Sequence, residues 1–399
     1  MLTAVFSLPA VPVFAAPPPL TLDAKSAIVL DYTTGQVLFE QNPDAPIPPA
    51  SLTKLMTLHL AYKKLSDGSM KREDKVQVGR DAWAAQMPGS SVMELEPGQN
   101  VTVGEIMKGI AIPSGNDAAV ALADHMAGTV DAFVALMNKE ARDMGYKTMH
   151  FYDPAGLDPR NLITAREYAD FARKYVQMHP DALQELHSVK EFTYPLPQNL
   201  PAGKTPKDSP AVTQHNRNTL LWEMEGVVDG LKTGFIDESG YNIAVTAHQG
   251  DMRVVGVILG VPGRDEVQGS RKRADAAKAM ITWGFQNFAL AKPPVPATKP
   301  VRVWKGAANE VALQPEHPVV FTVEKGQENK LTATLTQQES IMAPVKKGDV
   351  LGELVYAADG KQIISYKLVA ADDVRQGNIF KRLWDTIRLT VSGWFHKKK

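Results

Sequence analysis

Cysteine is absent from the 399-residue chain, which excludes disulfides, thiolate metal sites and a cysteine nucleophile together. Net charge is absent too. Its 44 Lys and Arg balance 44 Asp and Glu, which argues against nucleic acid as the main partner. The nine histidines form no HExxH or comparable ligand spacing, so no metal and no other cofactor is expected. The apolar start at residues 1–16 is too short to span a bilayer.

What remains is an ordinary globular composition, 44% apolar and 22% charged, in a chain long enough for two domains. Residues 1–16, MLTAVFSLPAVPVFAA, end in small residues and precede Pro17-Pro18-Pro19. They read as the later part of a secretory signal cut after Ala15 or Ala16, which predicts export. Ser26–Gln41 reads as a hairpin around Thr34-Gly35. Four prolines between Pro43 and Pro49 then stiffen the approach to Ser51. Leu52–Leu65, Val103–Ile112, Asp117–Ala127 and Asp131–Met144 read as helices. Val227-Val228, Tyr241–His248 and Arg253–Val261 read as successive antiparallel strands, followed by a helix from about Arg273 to Ala289. Strands, helices, then strands and a closing helix make an α+β domain over residues 20–291.

Residues 292–300, KPPVPATKP, form a proline-rich linker. Residues 301–373 alternate short apolar runs with glycine turns and predict an all-β domain. From 374 to 399 the texture changes again. Ile379, Leu383, Ile387, Val391 and Trp394/Phe395 recur at helical spacing among basic residues, with one acid, Asp385. A basic, aromatic-rich amphipathic helix fits a membrane surface, and the alternative is a terminal helix packed on the β domain.

Three strings carry chemistry: Ser51-Leu52-Thr53-Lys54, Ser114-Gly115-Asn116 and Lys232-Thr233-Gly234. On a helix, Ser51 and Lys54 share one face, a hydroxyl nucleophile beside an amine that burial or a second cation turns into a base. Lys232 is that candidate second cation and a candidate anchor for a substrate carboxylate. Ser114, between Pro113 and Gly115, sits in a turn with its hydroxyl free to relay a proton. The Asn116 amide both donates and accepts. Lys232 and Thr233 point to opposite faces of a strand, so one ligand reaches both only along the strand edge. Gly234 leaves room for that approach. Each string alone has a bland reading, a chance helix pair, a helix cap or a strand-entry turn; their common order makes one acyl-transfer site.

From about Ser26 onward the chain closely resembles the serine-type D-alanyl-D-alanine carboxypeptidases, the low-molecular-mass penicillin-binding proteins. The likeness runs through Pro49-Ala50-Ser51-Leu52-Thr53-Lys54-Leu55-Met56-Thr57, Gly89-Ser90-Ser91-Val92-Met93 and Ser114-Gly115-Asn116-Asp117-Ala118. It continues through Asn216-Arg217-Asn218, Val228-Asp229-Gly230-Leu231-Lys232-Thr233-Gly234 and Thr282-Trp283-Gly284-Phe285, and on into the β domain and tail. The resemblance implies a transpeptidase domain of the serine β-lactamase and penicillin-binding-protein type. It implies acylation of Ser51 by the penultimate D-Ala of a cell-wall stem peptide, with Lys54 as base and Ser114 passing the proton to the departing D-Ala. Asn116 positions the substrate in that scheme, and the backbone N–H groups of Ser51 and Phe235 form the oxyanion hole. Thr233 holds the terminal carboxylate with an arginine. Arg273 lies at the matching distance before Thr282-Trp283-Gly284-Phe285, and Arg217 matches a family arginine near the site. The implied location is peripheral, on the periplasmic face of the bacterial cytoplasmic membrane. β-Lactams are the implied inhibitors.

Two departures stand out. Phe235 replaces the histidine often found after the third motif. Residues Tyr194–Gln214 form a proline-rich stretch longer than expected, either a cleft rim or a surface insertion. No E-x-x-L-N string lies between Asn116 and Lys232, which disfavours a class A β-lactamase. A DD-endopeptidase and a catalytically silent envelope-binding module remain as alternatives.

Overall fold

The computed structural model describes residues 17–396, so the signal-like stretch 1–16 lies outside the described residues. Two compact units divide the chain, one spanning Pro19–Gln286 and the other running from Asn287.

The first unit is built on a five-stranded antiparallel sheet. Its strands are β1 (Ser26–Asp31), β2 (Val37–Gln41), β3 (Val228–Ile236), β4 (Gly240–Gln249) and β5 (Met252–Val261), in spatial order β2-β1-β5-β4-β3. All six residues of β1 are buried, as are nine of the ten in β5. Continuous burial of this kind marks strands covered on both faces, which explains their nearly unbroken runs of Val, Ile and Leu. β3 lies at the sheet edge and carries the third motif, with Lys232 opposite Ala244 and Thr233 opposite Ile243.

Five helices fill the middle of this unit: α1 (Lys54–Ser66), α2 (Val103–Ala111), α3 (Asn116–Ala127), α4 (Val130–Asp143) and α5 (Ala165–Met178). Local sequence sets their ends. Thr102 and Glu105 close a capping box on α2, and Thr129 and Thr164 cap α4 and α5. Gly128, at φ +82°, ends α3 in the left-handed conformation. α1 and α3 are buried along most of their length, so the residues at their N-termini are held by a packed core.

The helix after β5 departs from the sequence reading. α6 spans Glu266–Asn287, beginning seven residues before Arg273 and ending before Ala289. Gly269 lies inside this earlier start. It is glycine for packing: a Cβ there would lie 1.9 Å from the Tyr241 ring. Asp265 supplies the cap, its carboxylate accepting from the Gln268 N–H at 2.8 Å. Phe288–Ala291 then forms a strand paired with Phe321–Glu324.

Among the described residues the second unit is β up to its last helix, apart from a 3-10 turn at Glu328–Lys330. A four-stranded sheet runs in the order Leu313–Pro315, Lys361–Ala370, Val350–Ala358 and Leu331–Gln337. A three-stranded sheet has Val301–Trp304 at its centre. Their core includes Val301, Val303, Phe321, Leu354, Tyr356 and Leu368. The 292–300 segment is irregular but tied down, with the Pro294 carbonyl accepting from Tyr356 Oη at 3.0 Å. The final helix, α7 (Ile379–His396), is fixed near its start by buried Asp385, which accepts from the Lys305 N–H at 2.7 Å.

Candidate active site

The three motifs meet beside the edge of the large sheet. The proline-rich approach delivers the chain into one 3-10 turn, Ala50–Thr53, which runs directly into α1. Ser51 is therefore in the last turn before the helix and Lys54 is its first residue, so the three-residue spacing does place both groups together. Ala50 has φ +51° and Ser114 has φ +68°. Non-glycine residues in that region cost about 1–3 kcal/mol each and persist where packing over-determines them. Here the constraint is visible for Ala50: a Cβ on Gly156 (φ +86°) would lie 1.8 Å from its carbonyl oxygen.

Lys54 is wholly buried, and its Nζ lies 2.9 Å from Ser51 Oγ, 2.5 Å from Asn116 Oδ1 and 2.7 Å from the Ala155 carbonyl oxygen. Two of those partners can only accept. A neutral amine has two N–H groups and one lone pair, so donating to Asn116 and Ala155 leaves the lone pair facing the Ser51 hydroxyl. Burial pulls the Lys54 pKa down to about 7, against Asp153 and Asp117, which favour the ammonium. Desolvation of the buried amine is the main cause of that shift.

Asn116 opens α3, and its Nδ2 donates to Ser90 Oγ. Its backbone N–H donates to the Ser91 carbonyl at 2.8 Å. Next to it, the buried Asp117 carboxylate accepts from the N–H of Met93 at 2.8 Å and of Leu95 at 2.9 Å. The 90–95 segment is therefore anchored to the N-terminal turn of α3, and Asn116 is held from both sides.

Lys232 is also buried, and its Nζ donates to Ser114 Oγ at 2.9 Å and to the Thr233 carbonyl at 3.0 Å. Burial, followed by the neighbouring Lys54, Arg273 and Arg217, holds its pKa well below the usual lysine range. The motifs are thus linked in two pairs, Lys54 with Ser51 and Asn116, and Lys232 with Ser114. Strand β3 presses against the turn that carries Ser51: a Cβ on Gly234 would lie 2.8 Å from the Pro49 carbonyl and 3.0 Å from the Ser51 nitrogen. Only glycine allows that approach. It brings the backbone N–H of Ser51 beside the segment that leads to Phe235.

Arg273 projects from α6 and is buried, with Nη2 donating to the Arg217 carbonyl at 3.4 Å and the guanidinium 5.9 Å from the Tyr241 ring. Burial, then Arg217, brings its pKa down to about 10. The Arg217 side chain is half exposed, with Glu266 at 3.5 Å. Lys232, Arg273 and Arg217 together make a cationic corner beside β3. Phe235 is 45% exposed and stacked on Tyr241, ring centroids 4.3 Å apart. It offers a flat apolar surface at the strand edge.

The long stretch after Tyr194 is anchored at its base. Glu191–Tyr194 and Val212–His215 form a hairpin. Tyr194 Oη donates to Gln99 Oε1 at 2.8 Å, and Asn199 Nδ2 donates to the Asn100 carbonyl at 2.9 Å and Glu105 Oε1 at 3.0 Å. Lys204 pairs with Glu96. This stretch therefore straps the segment that follows residues 90–95. Sequence reasoning missed Ser90, Asp117, Asp153 and the Ala155 carbonyl as parts of the site. Asp117 lay in a quoted string, but a backbone carbonyl has no residue-type signature.

Comparison with known proteins gives the family of the chain. The family model for D-alanyl-D-alanine carboxypeptidase matches residues 13–263, and that for the C-terminal domain of penicillin-binding protein 5 matches residues 290–376. The D-alanyl-D-alanine carboxypeptidase DacC of Escherichia coli is 37% identical over 94% of this chain and 90% of its own length. Penicillin-binding protein 5 of Haemophilus influenzae superposes with a TM-score of 0.79 at 34% identity, covering 90% of this chain and 99% of that one. Penicillin-binding protein D2 of Listeria monocytogenes, in its ampicillin-bound form, superposes with a TM-score of 0.56 at 26% identity, covering 67% of this chain and all of that one. With its α+β domain, its β domain and its three motifs gathered at one sheet edge, the chain belongs to the D-alanyl-D-alanine carboxypeptidase family.

Proposed function

We propose that the protein removes the terminal D-Ala from peptidoglycan stem peptides through an ester on Ser51. The observation that carries this reading is the buried Lys54 amine, whose two obligate acceptors leave its lone pair for the Ser51 hydroxyl. Ser51 Oγ attacks the carbonyl of the penultimate D-Ala while Lys54 takes the proton. The N–H groups of Ser51 and Phe235 receive the developing oxyanion. As the tetrahedral intermediate collapses, Ser114, tied to Lys232, hands its proton to the amine of the departing D-Ala and takes in exchange the proton held on Lys54, so the Lys54 amine is neutral again. Lys232, Arg273 and Thr233 hold the substrate carboxylate, with Arg217 at the rim and Asn116 positioning the peptide along β3. Water, deprotonated by Lys54, then hydrolyses the ester. A β-lactam enters by the same first step, but its leaving group stays tethered. Its ester therefore persists.

The same reading covers location. The exposed residues of α7 include Ile379, Phe380, Leu383, Trp384 and Ile387, each at least 49% accessible, while Asp385 ties the opposite face to the β unit. An apolar face turned outward beside exposed Arg382 and Arg388 suits an anionic membrane surface, while Lys381 is paired with Asp385. Among the described residues no single helix is long and apolar enough to cross a membrane. The catalytic domain, linker, β domain and anchor would then place the site at the periplasmic face of the cytoplasmic membrane.

The test is release of free D-Ala from a pentapeptide ending in D-Ala-D-Ala. Release by wild type and its loss in Ser51→Ala support the carboxypeptidase. Penicillin labelling without D-Ala release, together with cleavage of cross-linked dimers, would replace it with the endopeptidase. Absence of all three activities would leave a binding module.

A further inference from the structure

Lys54 gives one of its hydrogen bonds to a carbonyl whose direction the helix itself does not set. The Ala155 oxygen belongs to a turn between α4 and α5, and one carboxylate organises that turn. Asp153 Oδ1 accepts from the N–H of Ala155 at 2.6 Å, of Gly156 at 2.6 Å and of Leu157 at 3.2 Å. Its Oδ2 accepts from the Asp158 N–H at 2.8 Å and from Asn161 Nδ2 at 2.9 Å. Asn161 in turn accepts from the Tyr152 N–H at 2.6 Å.

The N–H and C=O of one trans peptide point in opposite directions. In the Ala155–Gly156 peptide the N–H is drawn to Asp153, so the C=O is driven toward Lys54 Nζ, 2.7 Å away. In the Pro154–Ala155 peptide the same division holds, with the N–H on Asp153 and the C=O accepting from Thr57 Oγ1 at 2.7 Å. Lys54 and Thr57 are three apart on α1, so the turn grips one face of that helix through two carbonyls. A peptide polarised at its N–H by a carboxylate is also a stronger acceptor at its oxygen.

We propose that Asp153 is a positioning residue for Lys54, acting through the Ala155–Gly156 peptide to aim the amine at Ser51. The proposal rests on the reading of Lys54 as the base. The charged groups facing Lys54 are Asp153 on this turn, Asp117 on α3 and Lys232 on β3. Asp117 spends its hydrogen bonds on Met93, Leu95 and Ala118. Asp153 alone combines a charge near the amine with a hydrogen-bonded path to it. Loss of that anion disfavours the ammonium form of Lys54, so the base persists to lower pH even as its aim is lost.

The experiment is Ser51 acylation by a fluorescent penicillin from pH 5 to 9, with melting curves confirming the fold. In D153N the acid limb moves to lower pH by about half a unit or more, and the plateau rate falls at least about tenfold. T57V removes the other clamp on the turn without touching charge, and its limb stays where the wild type has it. D153S serves with the same readout if D153N does not fold. An unmoved limb in the folded Asp153 variant, or an equal shift in T57V, overturns the proposal while leaving Lys54 as the base. A wild type with no acid limb in this range overturns both.

Discussion

Gly234→Ala tests the contact between β3 and the nucleophile turn most sharply. The added methyl would sit 2.8 Å from the Pro49 carbonyl oxygen, 3.0 Å from Leu52 Cδ1 and 3.0 Å from the Ser51 nitrogen. Ordinary carbon contacts lie near 3.5–4 Å, so strand and turn must separate by roughly half an ångström. Overpacking of this kind costs about 1–3 kcal/mol, or about 2–10 °C in melting temperature for a domain of this size. The larger effect falls on catalysis. Separation pulls the two proposed oxyanion donors apart, and losing one such donor costs about 10²–10³ in rate. Acylation by penicillin is expected to fall about 100-fold. Gly284→Ala is the control, because a Cβ there meets nothing within 4 Å and alanine is the better helix former; it should acylate like wild type. A folded Gly234→Ala protein acylating within about threefold of wild type would refute the oxyanion geometry.

Acylation of the wild type should rise with pH through about 7, because the neutral Lys54 amine is the proposed base and burial brings its pKa there; a flat profile from pH 5 to 9 would contradict this. Arg273→Ala should lower kcat/KM for a D-Ala-terminated peptide by about 10–100-fold, a charged hydrogen bond being worth about 1.5–3 kcal/mol. Wild type and variant should converge on a peptide with an amidated C-terminus, and an equal loss on both peptides would remove Arg273 from carboxylate binding. For the anchor, a cut after Gly377 keeps intact the Val345–Val374 and Gly306–Gln376 bridges of the β unit. The shortened protein should stay in the supernatant when spun with anionic phospholipid vesicles, and co-sedimentation like wild type would sink the anchor reading.

Most of the proposed site was legible because its chemistry lives in side chains. Ser51, Lys54, Ser114, Asn116 and Lys232 each carry a group whose type and spacing imply the use. The β-branched runs announced the strands in the same way, whereas the helix Ala165–Met178, capped by Thr164, went unread. What stayed hidden is what the backbone does. The Ala155 carbonyl could belong to any residue, and its direction depends on Asp153, which reads as an ordinary turn residue. Gly269 shows the opposite failure. Glycine usually signals a break, but here it makes room for Tyr241 inside α6. Of the two routes the sequence offered for lowering the Lys54 pKa, burial or a second cation, burial is the leading cause in the structure. The stretch after Tyr194 could not be placed by composition because its anchors, Gln99, Asn100 and Glu105, lie about a hundred residues earlier.

The central claim is that one hydroxyl, on Ser51, forms the ester. Mass spectrometry of a proteolytic digest after brief penicillin treatment tests it directly. A penicilloyl adduct on the peptide containing Ser51, absent from Ser51→Ala, is the expected result. An adduct on any other residue, or one that persists in Ser51→Ala, would contradict the account.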